Sequence, residues 1–180
     1  KHMNLGVITG STRKGNDAKY VGDWVIENLG SRTDVEIKDL RVADYDLDFV
    51  SEEVIPGQAN GEYENPKTTV WADAIKECDA YIFVTGEYNA APPAAFKNAV
   101  DLLFPEWADK PVGFVGYGFG GGQRAINHWR DITKNVKMKA VEATTNFFLG
   151  EELPDGVFTP AEGKADDLQK VVDEIAALNS

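Results

Sequence analysis

An apolar run, Leu5-Gly6-Val7-Ile8, opens directly into Thr9-Gly10-Ser11-Thr12-Arg13-Lys14-Gly15-Asn16, one short turn carrying hydroxyls, a guanidinium and two glycines. Those residue types in that order suit an anion. Where such a turn leads into a helix, unpaired backbone N–H groups and the positive end of the helix dipole favour a phosphate. Ser11 and Thr12 add hydroxyl donors, and Arg13 adds a charged fork matched to phosphate oxygens. A nucleoside triphosphate is the first rival, because Gly10 and Gly15 have G-x-x-x-x-G spacing. Asn16-Asp17 then replace the Lys and Ser/Thr that reach the outer phosphates and magnesium, so the P-loop reading fails.

Two further loops carry unusual residues. Thr85-Gly86-Glu87-Tyr88-Asn89-Ala90-Ala91-Pro92-Pro93 pairs an aromatic with an amide ahead of a helical stretch. Gly116-Tyr117-Gly118-Phe119-Gly120-Gly121 satisfies G-x-G-x-x-G, but it does not open the first strand-helix unit as a dinucleotide fold requires. Its glycines serve either a tight turn or close backbone approach to a flat ligand.

Ionisable chemistry is scarce. Lys1-His2 before Met3 reads as a cloning remnant, which leaves His128 as the native histidine and Cys78 as the one cysteine. Cys78 lies on the apolar face of a predicted helix and reads as a buried thiol, while His128 reads as a helix-surface or packing residue. A zinc site of the usual ligand set is hard to assemble from one histidine and one cysteine, and a Ser-His-Asp triad would have to use His128, which no strand-turn-helix G-x-S-x-G accompanies.

The elements that must position these loops follow from periodicity. Apolar runs at 4–9, 34–40, 80–85, 111–117 and 139–145 predict strands. Between and after them come helical stripes: Tyr20, Val21, Trp24, Val25 and Leu29; then Val70, Trp71, Ala74 and Ile75; then Ala95, Phe96, Ala99, Val100 and Leu103. Ala125, Ile126, Trp129 and Ile132 mark a fourth, and Leu168, Val171, Val172, Ile175 and Leu178 a fifth. Alternating strands and helices imply an α/β fold: a flavodoxin-like, doubly wound, five-stranded parallel sheet in order 2-1-3-4-5 with helices on both faces. In that order the ends of strands 1, 3 and 4 are neighbours, so the three loops line one crevice. A phosphate anchor, a polar stretch and a slot for a planar ring describe FMN.

The segment from Arg41 to Lys67, rich in Asp, Glu, Gly and Pro, exceeds an ordinary connection and reads as a flap near the site or a subunit contact. A chain of 180 residues with a net charge of -12 is the length of one domain, expected here over residues 3–180, and would repel a phosphate backbone; nucleic acid is disfavoured. No apolar stretch approaches the roughly 18 residues of a membrane span, and no export signal shows. With a single cysteine, the expected location is the cytoplasm.

The sequence resembles the NADPH-dependent FMN reductases, a flavodoxin-like group that includes quinone, chromate and azo-dye reductases. The resemblance rests on Gly10-Ser11-Thr12-Arg13-Lys14-Gly15, on Thr85-Gly86-Glu87-Tyr88-Asn89 with Phe96-Lys97-Asn98-Ala99-Val100-Asp101, on Glu106-Trp107-Ala108-Asp109-Lys110-Pro111, and on Gly116-Tyr117-Gly118 with Gly121-Gly122-Gln123-Arg124-Ala125. It implies that Ser11, Arg13 and Asn16, with Thr12, hold the FMN phosphate. Glu87, Tyr88 and Asn89, in the stretch opened by Thr85 and Gly86, would lie along the ribityl chain and ring, and Gly118, Phe119, Gly120 and Gly121 on the pyrimidine side. Lys97, Asn98 and Asp101 would be structural. Gly86 stands where the family usually has proline, Ala91 near its serine, and Asn16 at a frequent hydroxyl position.

The implied activity is ping-pong hydride transfer from NADPH or NADH to FMN and on to a quinone-like or other small acceptor, with no catalytic side chain and no metal. The implied assembly is a homodimer or tetramer; the consecutive Leu102, Leu103 and Phe104 are expected to supply part of the contact. Two alternatives keep the fold: an electron carrier, disfavoured because the first loop lacks T-x-T-G-x-T, and a flavin-free binding protein.

Overall fold

A computed structural model describes residues 2–179; Lys1, half of the pair set aside above, and Ser180 lie outside the described residues. Five parallel strands form one sheet in the order β2-β1-β3-β4-β5. They are β1 (Met3–Thr9), β2 (Val35–Arg41), β3 (Ala80–Thr85), β4 (Pro111–Gly118) and β5 (Lys139–Phe148). The helices are α1 (Asp17–Leu29), α2 (Pro66–Lys76), α3 (Ala94–Asp101), α4 (Gln123–Asn135), the single turn α5 (Leu149–Glu152) and α6 (Lys164–Asn179). All of β3 is buried, as a central strand covered on both faces must be. One layer sets Val21, Val25 and Leu29 of α1 and Leu168, Val171 and Ile175 of α6 against Leu5, Val7 and Ile82. The opposite layer joins α2, α3 and α4 through Trp71, Phe96 and Trp129 around Phe83.

That second layer is aromatic and directional. Phe83, Phe96 and Trp129 meet pairwise with ring centres 4.6–5.1 Å apart. A buried indole needs an acceptor for its N–H. Trp71 donates to the Ala99 carbonyl (2.8 Å), Trp107 to the Val100 carbonyl (3.1 Å) and Trp129 to Thr85 Oγ1 (3.0 Å). The core layer beneath the site is thereby tied to the ends of β3 and α3.

Register carries the fold to the site. Thr9 pairs with Val84 across β1 and β3, and Thr85 with Gly116 across β3 and β4. The Gly10 N–H then donates to the Val84 carbonyl at 3.2 Å. The loops that leave β1, β3 and β4 therefore start side by side, where the chain goes to β2 on one side of β1 and to β3 on the other.

Several expectations need correction. The helical stripe read from Ala95 to Leu103 outruns its helix: α3 ends at Asp101, and Leu102 and Leu103 turn back into the core while Phe104 packs half-buried against it. Leu102, Leu103 and Phe104 thus offer no face to a second subunit. On α2, Val70 is 59% exposed, because Asn65 caps the helix by accepting the Lys67 N–H (3.0 Å) and Pro66 starts it, which turns Thr68, Trp71, Ala72 and Ile75 inward. Leu178 points outward at the end of α6. β5 runs three residues beyond Thr145 and carries an irregularity in its pairing with Val112–Phe114.

The segment between β2 and α2 is tied down along its length. Tyr63 donates to the buried Glu106 carboxylate (2.7 and 2.8 Å to its two oxygens), and Lys67 pairs with Asp46 at 3.0 Å. Asn98 of α3 clasps it from beneath, donating to the Asp48 carbonyl (3.0 Å) and accepting the Val50 N–H (3.1 Å). Phe49, Val50, Val54 and Ile55 of this segment are exposed. Lys97 and Asp101 form the expected one-turn ion pair at 2.8 Å. Cys78 is buried, which pushes its thiol up to about 11 and keeps it protonated at neutral pH. His128 lies on the exposed face of α4.

Candidate functional site

The three loops enclose an open crevice of about 610 Å³, within the range of small-molecule sites. Its lining joins Ser11 and Arg13 from the first loop, Gly86 to Asn89 from the second, and Gly118 to Gly120 from the third.

At the first loop, Gly10 lies directly over the Phe96 ring, and the chain then turns so that Ser11 Oγ accepts the Arg13 N–H at 3.2 Å. Arg13, about half exposed, ion-pairs with Asp17 at 3.3 Å. Asn16 is the N-cap of α1 without using its side chain for the cap. Thr12 lines a neighbouring cavity of about 520 Å³, together with Val42, Asp46, Leu47 and Phe49 of the long segment; Tyr88 and Pro93 form the partition between the two. One end of the long segment therefore borders the site.

The second loop is a tight turn. Tyr88 and Ala91 exchange backbone hydrogen bonds at 2.8 and 3.1 Å, with Asn89 (φ 51°) and Ala90 (φ 69°) both left-handed between them. Asparagine tolerates that conformation; alanine pays for it through its Cβ. Ala90→Gly is expected to raise stability by about 0.5–1 kcal/mol, the left-handed penalty less the added freedom of the unfolded chain. Urea denaturation checks this, and an unchanged or lowered midpoint contradicts it. Glu87 is turned to α4: its carboxylate accepts the Ala125 N–H at 3.0 Å and lies 3.5 Å from Arg124, capping the helix where its dipole favours an anion.

Of the third loop, Phe119 is 85% exposed at the rim. Gly121 and Gly122 are buried beneath, both with positive φ (71° and 69°), and a Cβ on Gly122 would come within 2.9–3.2 Å of the Gly116-Tyr117 backbone. The G-x-G-x-x-G spacing here serves the turn's packing.

Thr12, Asn16, Thr85 and Gly121 do not line this crevice. Thr85 is buried, its hydroxyl donating to the Gly86 carbonyl (2.8 Å) while accepting from Trp129, so its side chain is spent on the core. Seven lining residues fall outside the sequence-based set: Asp17, Ala90, Pro93, Tyr117, Gln123, Arg124 and Leu149. Tyr117, next to Gly118, had a positional signal as the last residue before the glycine loop. Leu149, past the end of β5, had none. Burial, with the nearby Tyr88, raises the Tyr117 pKa, and hydrogen bonding with Ser11 works against that rise.

The donor set fits FMN. A hydroxyl, a guanidinium and a helix start stand together for a phosphate. In the same crevice, Gly86, Gly118 and Gly120 leave bare backbone as wall; a Cβ on Gly118 would fill the space between Gly122 and Glu87. Tyr88, Tyr117 and Phe119 supply aromatic edges. Among the described residues, no group of three or more His, Cys, Asp or Glu could hold a metal ion, and no helix is long and apolar enough to cross a membrane.

Comparison with known proteins agrees with this chemistry. Residues 3–152 match the sequence profile of the NADPH-dependent FMN reductases. An NAD(P)H-dependent FMN reductase from Nectria sp is 31% identical, with 97% of this chain and 96% of that protein covered. An NAD(P)H:quinone oxidoreductase from Solanum tuberosum is 30% identical over 90% of this chain and 86% of its own. Among solved structures, the flavoenzyme NAD(P)H:(acceptor) oxidoreductase FerB from Paracoccus denitrificans shares the fold with a TM-score of 0.73 at 20% identity, covering 97% of this chain and 98% of that one.

Proposed function

The chain belongs to the NADPH-dependent FMN reductase family and is an FMN-dependent NAD(P)H oxidoreductase, and from that premise we propose how its crevice works and what it acts on. The observation that supports the reading is the convergence of three loops at the switch point, which brings Ser11, Arg13 and bare glycine backbone into one crevice. Family membership sets aside the electron-carrier and flavin-free alternatives.

When bound, FMN supplies the redox chemistry, taking hydride from a nicotinamide and returning electrons to an acceptor. Ser11 and Arg13 would hold its phosphate, Tyr88 and Asn89 would flank the chain and ring, and the Gly118–Gly120 backbone would face the ring. Glu87, engaged with α4, is not offered as a base, and Tyr117 keeps its proton on Oη. No side chain acts as acid or base in the hydride step. Tyr88 and Phe119 line the crevice and are exposed, and in this reading nicotinamide and acceptor use one face of the flavin in turn, a ping-pong order. A planar quinone suits that slot. Titration of flavin-free protein with FMN tests the reading: quenched flavin fluorescence and shifted visible bands are expected, and no change at micromolar FMN in folded protein overturns it.

Residues 3–180 act as one flavin-binding domain in this reading, and a reducing cytoplasm suits a chain whose cysteine is a buried thiol. A homodimer or tetramer is proposed on different ground from Leu102–Phe104: Phe119 at the crevice rim, Phe49 at the neighbouring cavity, and Val54 and Ile55 of the long segment are exposed apolar residues that a second copy would cover. Light scattering is expected to give at least twice the 19.7 kDa of one chain. A single-chain mass contradicts the assembly.

A further inference from the structure

We propose that Asp17 is a built-in competitor of the flavin phosphate, which loosens the hold on FMN and leaves riboflavin untouched. The inference rests on the reading of the crevice as the flavin site. A phosphate there depends on the Arg13 guanidinium and the amino end of α1, and Asp17 engages both. Its Oδ2 lies 3.3 Å from Arg13 Nη2, and it is the first residue of α1, where the dipole stabilises a carboxylate as it would a phosphate. Asp17 also lines the crevice itself, with its side chain only 25% exposed, so its charge faces any anion brought to Arg13.

The rest of the crevice offers no offsetting cation. The crevice is lined by two carboxylates, Asp17 and Glu87, and two guanidiniums, Arg13 and Arg124, and Glu87 already lies 3.5 Å from Arg124. Charge in the crevice cancels pair by pair, inside a chain of net charge -12. A phosphate dianion must therefore draw Arg13 from Asp17 and then sit beside the carboxylate it displaced. Riboflavin, with no phosphate, meets none of this. The consequence is a weaker hold on FMN than the same crevice would have without the Asp17 charge.

The test titrates flavin-free wild-type and Asp17→Asn proteins with FMN and with riboflavin, by fluorescence quenching, at low and high salt. Asparagine keeps a polar residue suited to a helix start, and Asp17→Ser serves as a second neutral variant. Removing the charge is expected to tighten FMN about ten-fold while riboflavin shifts less than about two-fold, the scale set by a helix-end charge and an exposed ion pair together. Salt is expected to shrink the FMN gain. Unchanged or weaker FMN binding, with riboflavin binding intact, overturns the inference alone and makes Asp17 a positioning residue for Arg13. Equal tightening of both flavins also overturns it. If neither flavin binds any of the proteins, the crevice reading fails with it.

Discussion

Arg13→Ala weakens FMN binding by about 1.5–3 kcal/mol, the range for a hydrogen bond to a charged group, and leaves riboflavin nearly unchanged. Arg13 is one of two guanidiniums that line the crevice, the other, Arg124, lying beside Glu87, and the planar fork of Arg13 matches two phosphate oxygens at once. About half of the side chain is exposed, which screens its charge and draws the expected loss towards the lower bound. The alanine variant also leaves Asp17 facing the phosphate unpaired, which draws the other way. Arg13→Lys keeps the charge without the fork and is expected to fall between. Parallel titrations with FMN and riboflavin read the difference directly, and equal losses for both flavins would show that Arg13 does not bind the phosphate.

Gly10→Ala is expected to destabilise the fold and the site together. A Cβ at Gly10 would lie 1.8 Å from Phe96 Cδ2 and 2.1 Å from Cγ, deep in overlap with a ring that is fully buried. The ring cannot move aside, since Phe83 and Trp129 hold it at 4.8 and 4.6 Å. Overpacking of this kind costs about 1–3 kcal/mol, and the closed surroundings place Gly10→Ala at the upper end. Relief by lifting the β1 loop would carry Ser11 and Arg13 off the crevice, so FMN affinity falls as well. Urea denaturation and FMN titration measure both effects. The same substitution in a Phe96→Leu background is expected to cost less than in wild type, because the two positions share the overlap. An unchanged midpoint for Gly10→Ala contradicts the packing argument.

The fold and the three loops were legible because they depend on local pattern. The strands came within three residues of their ends, and the sheet order followed from the alternation of elements. The first loop announced itself through Ser11 and Arg13, whose side chains do reach the crevice. Thr85 and Gly121 were less readable, since a loop motif does not say which members turn inward: Thr85 answers the Trp129 indole from across the core, a partner 44 residues away. Tyr117, Arg124 and Leu149 reach the crevice only through the register of β4 and β5, which periodicity does not supply. The run Leu102-Leu103-Phe104 misled for a related reason: its apolar excess measures burial, and with α3 ending at Asp101 all three could turn back on their own core. Asp17 stood in view four residues from Arg13, the spacing of a helical ion pair. Its meaning depended on finding both in one crevice.

Anaerobic mixing of the FMN-loaded protein with NADPH tests the central claim most directly. The account predicts that the flavin's visible absorbance bleaches at a rate that saturates with NADPH, and that a quinone added afterwards restores it. Bleaching no faster than that of free FMN under the same NADPH, with the flavin demonstrably bound, would contradict it.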